Sequence, residues 1–123
     1  MNIFRKLFRR NEVSLHRIHH TVIINENGEK LKLVVNADPM RLVAGLTLAQ
    51  KKLTDTVNKE TEPTAEEMRD AAESLSAVLF GKEQTEKLFE FYAGDSACVI
   101  NICGQIFKDQ LTDKITKAQK KMG

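Results

Sequence analysis

The side chains with the most chemical potential in this 123-residue chain are three histidines and two cysteines. His16, His19 and His20 form an H-x-x-H-H pattern, which invites comparison with a metal site. A usual zinc site takes three or four ligands, and no cysteine pair lies near these histidines in sequence. His20 also falls where a first strand begins, so the cluster reads as a surface or interface feature. Cys98 and Cys103 are five apart, which is neither C-x-x-C nor a zinc-knuckle spacing. On a helix they lie on different sides, with Cys103 in the apolar stripe, where a free cysteine packs as a small hydrophobe. No base is placed by sequence to activate either thiol. Glu66 and Glu67 occupy the first turn of a helix, where they complement its dipole. Walker, G-x-G-x-x-G and nucleophile-elbow motifs are absent. The sequence therefore assigns no catalytic, cofactor-binding or metal-ligating residue, and the expectation is a chain that is not an enzyme.

Length and composition set the frame for that expectation. At 41% hydrophobic and 29% charged residues, the chain matches an ordinary globular domain. No apolar run approaches the roughly 18 residues of a membrane-spanning helix. No signal peptide is evident, and a reducing cytosol would leave both cysteines as thiols. The net charge of +2 conceals a division. Residues 1–20 hold five basic and one acidic side chain, and residues 21–53 five and three. Residues 54–95 hold four basic and eleven acidic, and residues 96–123 five and two. An acidic middle between basic ends suits electrostatic association between proteins.

The elements follow from periodicity and punctuation. Residues 1–19 read as a basic amphipathic arm, with Ile3, Phe4, Leu7 and Phe8 at helical spacing among Arg5, Lys6, Arg9 and Arg10. Residues 20–123 read as a single domain, with a hairpin over 21–36 and a helical bundle over 38–120. The strands are Thr21–Asn25 and Lys30–Asn36, joined at Asn27-Gly28, the residues a type I′ turn favours. This register pairs Ile24 with Leu31 and Val22 with Leu33 on one face and sends Lys30 and Lys32 to the other. A two-stranded sheet needs helices or a further strand to be stable, and its edges are able to accept one.

Asp38-Pro39 starts the first helix, striped by Leu42, Val43, Leu46, Leu53 and Val57. Gly45 inside it suits close approach of another helix. Thr64 and Glu67 form a capping box for the second helix, striped by Met68, Ala71, Ala72, Leu75, Val78 and Leu79, with Gly81 at its end. A short third helix carries Leu88, Phe89, Phe91 and Tyr92 and ends at Gly94. Asp95 caps a fourth, whose apolar face runs from Val99 to Ile115, and Thr116–Gly123 is expected to fray. The fold class is thus α+β, mostly α: an N-terminal β-hairpin and about four helices.

Three runs carry a family resemblance. They are Val35–Ala44 (VNADPMRLVA), Leu88–Asp95 (LFEFYAGD) leading to Cys98–Gly104 (CVINICG), and the tail from Leu111 through Lys114–Lys121 (KITKAQKK). Together they resemble small phage and prophage tail proteins of Gram-positive bacteria, similar in size and element order to siphophage tail assembly chaperones. The resemblance spans about residues 20–121 and leaves the basic arm uncovered. It implies a non-enzymatic role in the cytoplasm of a bacterial host during phage assembly, in which the chain binds the tape-measure protein and recruits tail-tube subunits. A minor structural tail protein is the alternative within the same class, and a homo-oligomer fits either. The residues expected to bind partners are Phe4, Leu7 and Phe8 of the arm, and Phe89, Phe91 and Tyr92 of the crowded third helix.

Two other classes are weaker. A small DNA-binding regulator would use Arg5, Lys6, Arg9, Arg10 and Arg17 on phosphates, but the acidic middle breaks up the basic face such binding needs. A membrane adaptor would rely on a ten-residue arm, which gives only reversible attachment. Nucleic acid and membrane are accordingly disfavoured as partners.

Overall fold

The computed structural model describes residues 17–122. Strands β1 (Ile18–Glu26) and β2 (Glu29–Ala37) form an antiparallel hairpin. The expected register is present, with Ile24 opposite Leu31 and Val22 opposite Leu33. Asn27 and Gly28 take φ of 52° and 81°, the left-handed pair that the tight turn requires. The strands run further than the sequence pattern indicated. Ile18 is buried and pairs with Ala37, and Arg17 donates from Nε to Asn36 Oδ1 and from a terminal guanidinium nitrogen to Asn36 O. The end of the segment read as an arm thus belongs to the hairpin.

Helix α1 (Pro39–Val57) starts where expected, with Asp38 accepting from the Met40 amide and Pro39 in the first turn. Its buried residues include Leu42, Leu46 and Ala49. Val57, assigned to the apolar stripe, is instead exposed, because the 3.6-residue repeat has rotated it off the core face by the last turn. Helix α2 (Ala65–Phe91) opens with the Thr64–Glu67 capping box. The Glu67 carboxyl is held below the usual carboxylate range, first by the Lys59 ammonium with which it pairs and then by the Thr64 amide.

The remaining helix is one unbroken rod: α3 (Ser96–Ile106), a π-helical turn (Phe107–Leu111) and α4 (Thr112–Met122). Asp95 caps it by accepting from the Cys98 amide. The tail expected to fray is helical to Met122. The π turn answers a phase problem. Val99, Cys103 and Ile106 are buried, and an uninterrupted α-helix would next turn Gln110 inward. One extra residue in the turn brings Leu111, then Ile115, into the core and leaves Gln110 outside.

The fold is mostly helical with an N-terminal hairpin, but the helices number three continuous segments and not about four. The helices expected as second and third are the two arms of α2, broken at Gly81. Leu33 and Val35 of β2 and Val22 of β1 pack with Leu42, Leu79, Leu88, Val99 and Leu111 in one core.

Gly45 does permit close approach. A Cβ at this position would lie 2.9 Å and 3.1 Å from the two γ-methyls of Val78 on α2. Val78 is β-branched and has little freedom to yield. Overpacking costs about 1–3 kcal/mol, against a helix-propensity gain of about 1 kcal/mol for replacing glycine. Gly45→Ala is expected to lower unfolding stability in urea by about 1 kcal/mol. In the double-mutant cycle with Val78→Ala, the double variant should be more stable than the sum of the single effects.

Candidate functional site

The most developed concave surface among the described residues lies in the fork of α2, and a single backbone position creates it. Gly81 has φ 82° and ψ 169°, a region open essentially to glycine alone. In a straight helix, residues 20 apart are separated by about 30 Å. Instead, the Arg69 guanidinium sits 4.9 Å from the centroid of the Phe89 ring. The two arms of α2 therefore fold back on each other.

A small polar cluster holds the joint. Ser76 and Thr85 are buried, and their hydroxyls lie 2.8 Å apart. Thr85 donates its hydroxyl proton to Gly81 O at 2.7 Å, so Ser76 donates to Thr85. Both hydroxyls of the joint are thus paired inside the fold. Gln84 secures the joint to the sheet. Its Oε1 accepts from the Val34 amide at 2.7 Å, and its Nε2 donates to Val34 O and Phe80 O, both at 2.8 Å. One side-chain amide pairs with the outer edge of β2 as a neighbouring strand would.

The fork encloses a groove of about 710 Å³. Arg69, Glu73 and Ala77 line it from the first arm, and Lys82, Glu86, Phe89 and Glu90 from the second. Phe89 is only 5% exposed and forms the floor. Arg69 lies over that ring and donates from Nε to Glu73 at 3.0 Å, so it covers the aromatic face while keeping its charge paired. Three carboxylates and two cations ring an apolar floor.

The second arm ends in a Schellman motif. Gly94 N donates to Phe89 O at 2.8 Å and Ala93 N to Glu90 O at 3.1 Å. Ala93, with φ 54°, holds the left-handed position usually given to glycine, and both Ala93 and Gly94 reach the groove.

The residues singled out in sequence are divided by the fold. Phe4, Leu7, Phe8 and His16 lie outside the described residues. Phe89 belongs to the groove, but Phe91 and Tyr92 do not line it. They are half-buried and meet edge to face at 5.2 Å. The Tyr92 hydroxyl is pushed up to about 12, mainly by burial and then by the negative charge of Glu26 near the hairpin turn. His19 is exposed, while His20 Nε2 lies 2.8 Å from Gln110 Oε1 of the π turn. Among the described residues no cluster of three or more metal-ligating side chains occurs.

Both cysteines are free. Cys103 is fully buried, and burial pushes its thiol up to about 12 despite the Ser76 hydroxyl beside it. Cys98 is exposed, and the Asp95 carboxylate that caps the helix raises its thiol above the ordinary value. Both environments disfavour the thiolate that nucleophilic chemistry needs.

The rim residues Arg69, Glu73, Glu86 and Glu90 had no place in the sequence reading. Their signal is a pair of rows at spacings of four, 69–73–77 and 82–86–90, which face each other only once Gly81 folds the helix. Set against known proteins, the chain matches no family model, no curated protein and no solved structure. No helix among the described residues is long and apolar enough to cross a membrane.

The joint is open to direct test. Thr85→Val removes the acceptor for buried Ser76 and the donor to Gly81 O, and should cost about 1–3 kcal/mol in urea unfolding. Thr85→Ser, which keeps the hydroxyl, should retain most of that stability.

Proposed function

We propose that this chain is a non-enzymatic phage tail assembly chaperone, which holds a tape-measure protein in soluble form and recruits tail-tube subunits. The observation that carries the reading is the groove in the α2 fork. Its charged rim, with exposed Ala77 and Ala93 between the charges, suits capture of an amphipathic helix by a few side chains. Tape-measure proteins are long and helical and present such segments in number. The resemblance of residues 20–121 to tail assembly proteins supplies the identity of the partner. The acidic balance of residues 54–95, which include the whole fork, favours a partner segment that brings basic residues. The half-buried Phe91–Tyr92 pair is a second contact surface, separate from the fork and suited to a second partner such as a tube subunit.

The test is co-expression with a tape-measure protein of a Gram-positive siphophage. The chaperone reading expects several-fold more of that protein in the soluble fraction, and co-purification of the two. Glu86→Arg combined with Glu90→Arg alters only exposed rim positions and should abolish co-purification while leaving the chain folded. Equal solubility with and without the chain would defeat the reading.

A further inference from the structure

The two edges of the hairpin are treated differently. Val34 and Asn36 direct their backbone polar groups outward from β2, as their bonds to Gln84 and Arg17 show. Lys30 and Lys32 share that outward parity and bear the charges that discourage strand addition. The β2 edge is thus bonded at Val34 and Asn36 and charged at Lys30 and Lys32. By the antiparallel pairing, the residues opposite these four also direct their amides and carbonyls outward, namely His19, Thr21, Ile23 and Asn25 of β1. Among the described residues nothing bonds to this edge. It carries no lysine, proline or bulge over nine residues, and Ile23 on it is 63% exposed. Those are the devices by which edge strands are usually kept from pairing.

We propose that β1 pairs with β1 of a second copy of this chain, antiparallel and centred on Thr21, to give a continuous four-stranded sheet. The strand is self-complementary in that register. Thr21 meets the second copy's Thr21, a favourable cross-strand pair, and His19 meets Ile23 on the outer face. On the inner face Ile18 meets Ile24, both buried within one copy, so the apolar surface continues across the junction. The Arg17 end of each strand comes beside the Glu26 end of the other, which places opposite charges together. No charged residue falls in the central stretch from Ile18 to Ile24. The contact is isologous and closes as a dimer. It stands independently of the α2 groove and of the partner assigned there.

Sedimentation equilibrium on the full chain, with and without Thr21→Pro, is the test. Proline here removes an outward amide and no bond within the hairpin, so the variant should stay folded by circular dichroism. The wild type is expected to be a dimer and Thr21→Pro a monomer, with at least a tenfold loss of association. Ile23→Lys, which places a charge on each edge, should weaken the dimer without touching the core. In a Cys98→Ser background, Thr21→Cys should yield a disulfide-linked dimer under mild oxidation, since directly opposed strand residues fall within disulfide reach. A wild-type monomer at hundreds of micromolar would overturn the proposal, as would a dimer that survives Thr21→Pro and fails to cross-link at Thr21→Cys.

Discussion

The fork of α2 depends on how the chain resolves the break at Gly81. A residue at φ 82° and ψ 169° cannot continue a helix, and any side chain there would be strained. The joint gathers polar groups, of which the Ser76 and Thr85 hydroxyls are buried. Thr85 takes the Gly81 carbonyl, Ser76 takes Thr85, and Gln84 takes Phe80 O together with both backbone groups of Val34. Two consecutive side chains thereby close the helix joint and dock it on the sheet. The geometry of the fork, the shielding of the β2 edge and the position of Phe89 all follow from that junction.

Local signals made much of the architecture legible. The Asn27-Gly28 turn, the Asp38-Pro39 start, the Thr64–Glu67 capping box and the Asp95 cap are each satisfied by atoms within a few residues, so sequence alone locates them. The close approach at Gly45 was also foreseeable, since glycine inside a helix is costly without a neighbour that needs the space. The π turn was harder to see. Its trace is the spacing of five between Ile106 and Leu111, which departs from helical periodicity by one residue. The outward position of Val57 and the helical tail depend on rotation about an axis and on packing at a distance. Neither is encoded in a short window.

The site was less legible than the fold, and for a definite reason. A groove built from two rows on one helix appears only when the helix is folded, and Gly81 read as a simple helix end does not reveal the angle between the arms. Aromatic crowding at residues 88–92 marked one stretch of chain as a single candidate surface. The fold then separates that crowd, placing Leu88 in the core, Phe89 at the groove floor and the Phe91–Tyr92 pair on another surface. The reactive side chains moved the other way. Burial raises the thiol of Cys103, and the Asp95 carboxylate raises that of exposed Cys98. The described surface carries a charged groove, a half-buried aromatic pair and a strand edge without lysine or proline.

The groove and the joint both require that α2 is folded at Gly81. Nuclear Overhauser spectroscopy on the full chain answers this by looking for cross-peaks between the Phe89 ring protons and the Arg69 side chain. The folded fork places the guanidinium 4.9 Å from the ring centroid, so strong cross-peaks are expected. Their absence, with sequential helical contacts running unbroken through Gly81, would mean a straight helix holding the two residues about 30 Å apart. That result would remove the groove, the joint and the proposed capture of a partner helix together.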